Sequence, residues 1–211
     1  MNDTQTDIIE TFRFSTTPEL DTTIESERHA PAFNSRIAVH AFYASKHISH
    51  FEVDWQNGNQ DAVHTANAQY QFTTDKIIVN RSIDGQAFLE TLPMPEVLIV
   101  LPLLRIFTGK AIRQAFEIGN GERVPIFIPN IKDAKDKTQL LTLELDMRSA
   151  NLIEQDTINI NNKEHPADVF NFIGGNYDHT AKFWVAENDL LLQYQWQQNN
   201  VFWEVKLVEV N

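Results

Sequence analysis

The strongest constraint on the fold lies near the end of the chain, where apolar and polar residues alternate in four segments joined by short turns. The segments are residues 167–173, 180–185, 190–196 and 201–207. Side chains two apart on an extended strand point to the same face, so each segment predicts a strand with one buried face. Turns as short as Gly174-Gly175-Asn176 connect antiparallel neighbours. This part of the chain therefore predicts an antiparallel meander.

Similar alternation runs through residues 36–92 and returns at 141–147 and 156–161, while residues 124–128 are apolar throughout, which brings the count to about ten strands. Large side chains are plentiful, because the 211 residues include 14 Phe, 4 Trp and 4 Tyr. About ten antiparallel strands with large inward side chains tend to curl or close. We therefore predict a mainly β (α+β) fold. It would be a strongly curved antiparallel sheet or partial barrel, with one helical insertion packed in or across its open side.

One segment of the chain has helical spacing. Residues 94–118 contain good helix formers and are followed by Gly119, which tolerates the left-handed conformation of a helix end. Lys110 and Arg113 lie three apart and predict part of a solvent-facing stripe. The apolar run at 97–104 is too short for a membrane span, which needs about 20 residues. We interpret this run as a buried core helix. A membrane-surface segment and a helix that lines a ligand cavity are the alternatives.

The start of the chain differs from the rest. Residues 1–33 are polar and weakly patterned, so we interpret them as a polar N-terminal arm, in which residues 11–16 could form a short strand. A single antiparallel β domain is then predicted for residues 34–211, with its helix near 94–118. The opening sequence MNDTQTDIIE has neither the basic nor the apolar segment that a signal peptide needs. If Met1 is the natural start, we expect a cytoplasmic protein; if it is not, a periplasmic protein is the alternative.

Composition excludes several classes of function. The sequence contains no cysteine, which rules out a disulfide scaffold, a thiol nucleophile and a cysteine zinc site. The 29 acidic and 17 basic residues give a formal charge of −12, which argues against nucleic-acid binding because that binding needs a basic surface. The sequence also lacks a serine-hydrolase elbow, a zinc-protease motif and a phosphate-binding glycine loop.

Two groups around histidine have residue types that chemical sites use. His50, Glu52 and Asp54 share a face of one predicted strand and could bind a cation, although a solvated face of an acidic protein is the simpler interpretation. Asp178-His179 follows a predicted turn, and His179 could act as a general base. Adjacent residues on a strand point to opposite faces, so Asp178 is a poor orienter for His179. We predict no catalytic residue, no metal site and no cofactor.

The sequence also resembles a known family. The segment Lys182-Phe183-Trp184-Val185, followed by Leu190-Leu191-Leu192, looks like the tryptophan-bearing hairpin of the periplasmic lipoprotein carriers of the LolA and LolB type. The apolar stretch at residues 95–107 lies between two groups of strands, as in those carriers and in related uncharacterised bacterial families. This pattern covers residues 36–210. The resemblance implies an antiparallel half-barrel that is closed by helices and holds acyl chains.

Aromatic-rich strands and the apolar segment favour a binding protein. We predict non-catalytic binding of a lipid or other apolar small molecule in a cavity between sheet and helix. Arg105 follows the apolar run and could pair with a carboxylate or phosphate head group, or else extend from a core helix to the surface. The predicted apolar lining consists of Leu101, Leu104, Phe107, Trp184, Trp196 and Trp203.

Two other functions stay open at this point. The chain could be a structural or protein-interaction module with a filled core, and the uncharged amides Gln193, Gln195 and Gln197 would then offer an exposed strand face to a partner. It could also be an enzyme that acts on an apolar substrate through His179 or His50. The sequence does not fix the oligomeric state.

Overall fold

The structure, a computed structural model, describes residues 8–17, 21–31, 34–44, 47–58, 64–198 and 201–209. These residues form thirteen β-strands, arranged in two antiparallel sheets, and one α-helix. The predicted mainly β, antiparallel fold with one helical insertion is therefore confirmed, although the strands outnumber the predicted ten.

The chain divides into two compact units. As far as it is described, unit 1 comprises Met1–Glu96, Pro102–Leu104 and Ile128–Glu144. Unit 2 comprises Val97–Leu101, Arg105–Phe127 and Leu145–Asn211. The single domain predicted for residues 34–211 stays a prediction.

The first sheet contains seven strands that follow one another in chain order, and each pairs antiparallel with the next. The strands are β1 (Ile9–Thr16), β2 (Thr22–Ala30), β3 (Ser35–Ala44), β4 (His47–Asn57), β5 (Thr65–Phe72), β6 (Lys76–Ile83) and β7 (Gln86–Pro93). The turn between β6 and β7 places Asp84 and Gly85 at φ 46° and 81°. Two successive positive φ values are typical of a tight hairpin turn, which fits the Asp-Gly signal in the sequence.

Within the predicted polar arm at residues 1–33, the structure shows two strands of this sheet, Ile9–Thr16 and Thr22–Ala30. Only Ile24 and Ser26 of β2 are buried, so the sequence alternation there is weak. Ion pairing across the strands supplements this small apolar burial, with Arg28 Nη2 at 3.0 Å from Glu10 Oε2. The Thr- and Glu-rich composition of residues 17–28 therefore gave no sign of β2, whereas β1 includes the possible short strand at residues 11–16.

The core of unit 1 lies on one face of this sheet. A later segment of the chain, which contains Leu140 and Leu141, covers it. Phe51 and Tyr70 stack there with ring centroids 4.2 Å apart. The hydroxyl of Tyr70 donates to the carbonyl oxygen of Leu141 at 2.6 Å, and Arg81 Nη1 donates to that of Leu140 at 2.7 Å. These bonds satisfy buried carbonyl groups that the sheet itself does not pair. Burial raises the pKa of Tyr70, so its hydroxyl stays a donor.

The second sheet contains six strands in the order of the chain. The strands are β8 (Val124–Pro129), β9 (Leu143–Ile160), β10 (Lys163–Ile173), β11 (Lys182–Val185), β12 (Leu191–Gln198) and β13 (Val201–Lys206). The antiparallel meander predicted for the end of the chain is therefore confirmed as β10 to β13. A bulge in the pairing of β9 with β10 lies next to Phe170.

The helix is shorter than the predicted 94–118. Helix α1 runs from Thr108 to Gly119, after a 3-10 helix at Arg105–Phe107. Asn120 caps the end of the helix. It has a left-handed φ of 45°, and its backbone N–H donates to the carbonyl oxygen of Phe116. In the described part of the chain, no helix is long and apolar enough to cross a membrane.

The apolar run at 97–104 is buried as predicted, but it is not a helix. Its backbone runs beside β8, with the N–H of Leu101 donating to Phe127 at 2.9 Å and the N–H of Phe127 donating to Ile99 at 2.8 Å. Val100 and Phe127 form a parallel bridge. A short apolar run fits a buried extended segment as well as a buried helix, and a partner strand supplied the backbone hydrogen bonds here. Leu103, near the end of the run, has a positive φ of 56°, which a right-handed helix does not contain.

Candidate functional site

Aromatic side chains from three neighbouring strands form a stacked row on one face of unit 2, the aromatic row. Its members are Phe183 on β11, Tyr194 and Trp196 on β12, and Trp203 on β13. Successive ring centroids are 5.5, 5.0 and 5.7 Å apart, and the planes differ by 2°, 12° and 14°. Strand register sets this order, because Phe183 lies opposite Tyr194 and Trp196 lies opposite Trp203.

The aromatic row leads from the core of unit 2 to its surface. The exposed fraction is 1% for Phe183 and 4% for Tyr194, but 38% for Trp203. Val201, on the same face of β13 as Trp203, is 49% exposed. The row therefore presents one continuous apolar surface, part of which a ligand or partner can reach.

Helix α1 covers the buried end of this face. Phe116 of α1 meets the ring of Phe170 edge-on at a centroid distance of 5.5 Å, and Phe170 lies opposite Phe183 in the sheet. The helix also approaches the turn between β11 and β12. A Cβ atom at Gly109 would lie 2.2 Å from the carbonyl oxygen of Asp189, so only glycine allows this approach.

Arg105 lies at the buried end of the aromatic row. Its Nε donates a hydrogen bond to the hydroxyl of Tyr194, and its Cζ is 5.6 Å from the centroid of that ring. Both contacts hold the guanidinium against the aromatic surface, since the ring face attracts a cation. The structure thus brings together three of the predicted ligand-binding residues, namely Arg105, Trp196 and Trp203. Pairing of Arg105 with a head group stays a prediction.

Trp184 was predicted to line the same cavity, but the structure places it on the opposite face of the sheet. It lies opposite Gln193, and its indole N–H donates to Asp156 Oδ2 at 2.8 Å. This hydrogen bond is the main reason that the pKa of Asp156 is lowered. Residues 183 and 184 are adjacent on an extended strand, so only Phe183 can join the aromatic row.

The other predicted lining residues are core residues. Leu101 and Phe107 are buried in unit 2, and Leu104 is buried in unit 1. Sequence reasoning missed Phe183 and Tyr194, which complete the row. Alternation offered a signal for Tyr194, because it lies two residues before Trp196 on one strand and so shares its face.

A cleft in unit 2, the acidic cleft, lies where β11 ends. Strand β11 stops at Val185, opposite Asp168, whereas β10 continues back to Lys163. Pro166 lies on the part of β10 that pairs with β9 but extends beyond β11, and proline has no backbone N–H. The cleft encloses about 440 Å³, and it is lined by Gln155, Asp156, Thr157, Pro166, Ala167, Asp168 and Glu187.

Arg113 joins α1 to the border of the acidic cleft. It was predicted to belong to a solvent-facing stripe, yet its Nη1 lies 3.0 Å from Asp168 and its Nε lies 2.9 Å from Asp189. Its Nη2 also donates to the carbonyl oxygen of Ala186 at 3.0 Å. One guanidinium therefore ties the helix to β10 and to the turn after β11, and it offsets part of the acidic charge.

The residues around the two histidine groups singled out in the sequence make contacts with neighbouring side chains and backbone. The ring of His50 stacks on Phe42 with centroids 4.1 Å apart, and Glu52 accepts a hydrogen bond from Gln69. Asp178 accepts from the backbone N–H and hydroxyl of Thr180, which lowers its pKa. Asp178 therefore closes its own turn rather than orienting His179. Within the described ranges, no three His, Asp or Glu side chains are grouped as metal ligands would be.

Comparison with known proteins supports the fold alone. No protein-family model matches this chain, and no curated protein matches its sequence. The chain is similar to the crystal structure of a β-barrel-like protein of the domain of unknown function DUF1849 from Brucella abortus, with a TM-score of 0.55 and 8% identity. The likeness covers 95% of this chain and 85% of that one. It indicates a β-barrel-like fold and carries no activity with it.

Proposed function

We propose that unit 2 binds a lipid or other apolar small molecule, without catalysis, along the aromatic row. The observation that carries this proposal is the continuous stack from buried Phe183 to exposed Trp203. An apolar ligand laid along that surface would leave water and would displace water from Trp203 and Val201. Each apolar Å² removed from water contributes about 25 cal/mol, so a ligand of modest size gains useful affinity there.

The polar end of the ligand would lie toward Arg105. Its guanidinium is already held against Tyr194, so a carboxylate or phosphate group near it would meet a positive charge that is oriented in advance. An acyl chain with one anionic head group combines the two properties. Acyl chains are also what the lipoprotein carriers that the sequence resembles hold.

The four tryptophans allow a direct test with a fatty acid brominated along its chain, because bromine quenches the fluorescence of indoles that it contacts. Trp196 and Trp203 belong to the aromatic row, Trp184 lies on the other face of the sheet, and Trp55 lies in unit 1. We expect saturable quenching in the wild type. Replacing both row tryptophans with phenylalanine should remove most of it, because the quenched indoles are then absent.

Trp55→Phe and Trp184→Phe are the matched controls, since each removes one indole that the proposed ligand does not touch. Both variants should keep the quenching of the wild type. No saturable quenching in the wild type, or equal loss in all variants, would contradict the proposal. Comparing native and denaturing mass spectra of protein purified without detergent would then show whether a bound apolar molecule accompanies the chain.

A protein-interaction module is the second candidate function. The observation that favours it is the apolar exposure of the last strand and the residues after it, where Phe202 is 65% and Val208 is 77% exposed. Exposed apolar residues on an edge strand are a usual place for another chain to pair. Of the Gln193, Gln195 and Gln197 face predicted to be exposed for this role, Gln193 is buried, and both Gln193 and Gln195 donate to Glu204 of β13.

A further inference from the structure

Strand β13 is an edge strand with a free side. It is the last strand of the six-stranded sheet and pairs with β12, and no other strand among the described residues pairs with it. The pairing with β12 continues past β13, because the N–H of Leu207 donates to the carbonyl oxygen of Leu192 at 2.8 Å. The edge available to a further strand therefore extends beyond Lys206.

The backbone groups on this free edge follow from that hydrogen bond. In an antiparallel pair, each residue directs its N–H and C=O to the same side, and successive residues alternate. Leu207 bonds toward β12, so the odd-numbered residues of β13 do the same. The groups that face outward belong to Phe202, Glu204, Lys206 and Val208. Phe202 and Val208 are also among the most exposed large apolar residues of the described chain.

We propose that the free edge of β13 pairs with the free edge of β13 in a second copy of this chain. The two strands run antiparallel, and the two-fold axis between them lies at Val205. In this register Val205 lies opposite Val205 of the other copy, and Glu204 lies opposite Lys206. Trp203 lies opposite Leu207, and Phe202 lies opposite Val208. The two sheets would join across a two-fold axis.

Charge selects this register and favours a second copy as the occupant. The strand is complementary to itself, because the two-fold axis sets Glu204 against Lys206 twice and sets apolar residues against apolar residues elsewhere. Centring the pair on Glu204 or on Lys206 would put like charges face to face, which is unfavourable. Centring it on Trp203 would put Phe202 opposite Glu204. Registers that shift by one residue would leave the outward N–H and C=O groups without partners.

The contact is short, so the dimer should be weak. A single pair of short strands buries much less than the area of about 1,600 Å² of a standard interface. Dissociation in the micromolar range is therefore expected. Ligand binding on the aromatic row would use the face of the sheet, whereas this contact uses its edge, so either one can fail without the other.

Sedimentation velocity over a hundredfold range of protein concentration tests the proposal. The wild type should show a reversible monomer–dimer equilibrium. Glu204→Lys and Lys206→Glu should each raise the dissociation constant by about tenfold or more, because both charge contacts become repulsive. An equimolar mixture of these two variants should regain the wild-type affinity, since each copy then presents to the other only opposite charges.

The mixture distinguishes a loss of the proposed contact between copies from an effect of the substitutions on folding. Glu204 and Lys206 also form an ion pair within one chain, at 3.0 Å, and each single variant breaks it whether mixed or not. Glu154→Lys is the matched control, because Glu154 forms an exposed ion pair with Lys182 elsewhere in the same sheet, at 3.1 Å. A wild type that stays monomeric would overturn the proposal. So would single variants that dimerise normally, or a mixture that fails to recover.

Discussion

Stacked aromatic rings occur in both units of this protein, but with opposite outcomes. Phe51 and Tyr70 stack at 4.2 Å on the central strands β4 and β5 and are fully buried. Tyr194 and Trp196 stack at 5.0 Å with similar geometry, yet the stack continues to Trp203 on the edge strand β13. The position of the strands in the sheet makes the difference. A stack on central strands closes a core, whereas a stack that reaches an edge exposes its last ring.

Replacing one ring in each stack should give the largest difference. Phe51→Ala should lower the free energy of unfolding by about 3–5 kcal/mol, because it leaves a cavity among central strands. Trp203→Ala should lower it by about 1 kcal/mol or less, since that ring is partly solvated already. Urea titration at low protein concentration measures both. Equal losses would show that the exposed end of the aromatic row is a structural core like that of unit 1.

The two stacked tyrosines give a finer comparison through their hydroxyl groups. Tyr70→Phe should lower the free energy of unfolding by about 1–3 kcal/mol, because the carbonyl of Leu141 loses its donor in a buried position. Tyr194→Phe should cost less, about 1 kcal/mol or below, since the hydroxyl it removes binds the half-buried Arg105. Thermal unfolding of the two variants beside the wild type measures this. The reverse order would mean that Arg105 is the more deeply held group.

The smallest expected difference between the two units is in how the free energy of unfolding depends on pH in acid. In unit 1, the backbone N–H of Thr65 and the ammonium of Lys137 are the main causes that lower the pKa of Asp84 from 3.8 to about 2. A carboxyl whose folded pKa is lowered stabilises the fold above its ordinary pKa. That contribution is lost as the pH falls from 3.8 toward 2. Asp84→Asn should therefore flatten the loss of stability over this window.

The matched variant for this acid test is Asp178→Asn in unit 2. The pKa of Asp178 is also lowered, chiefly by the neutral hydroxyl of Thr180, whereas Asp84 pairs with the ammonium of Lys137 at 3.0 Å. Its effect on the pH dependence should be smaller, because a hydrogen bond from a charged donor is stronger than one from a neutral donor. Unfolding free energies measured at several pH values between about 5 and 2 for both variants provide the check. If the slope of unfolding free energy against pH is unchanged in Asp84→Asn, the Asp84 carboxylate does not contribute to the acid response of the protein.

Local alternation predicted the strands where one face is apolar, and it failed where pairing is polar. Residues 167–207 gave their meander correctly, because each strand carries its own apolar face. Strand β2 was missed and β1 was indicated only as a possible short strand, since cross-strand pairs such as Arg28 with Glu10 join residues that are distant in the chain. The apolar run at 97–104 was predicted to be helical, because its extended form depends on β8, which follows later in the sequence.

The candidate site shows the same division. Arg105 was predicted as a ligand-binding residue because it directly follows the apolar run. Trp196 and Trp203 were predicted because they are large aromatic residues of the predicted strands. Trp184 was predicted to line the same cavity, although the alternation of side chains along β11 places it on the opposite face from Phe183. The contact of Arg105 with Tyr194 joins residues 89 positions apart, so no local pattern could reveal it.

The sequence by itself determined a cysteine-free, acidic, antiparallel β protein with one helix, because alternation, turn residues and composition are local properties of the chain. Tertiary structure alone decided which strands are edges, which apolar residues are covered and which guanidinium meets which ring. These depend on strand register and on contacts between distant segments. A shift of one residue in pairing would have moved Trp196 and Trp203 to the other face of the sheet, with the same sequence and the same strands.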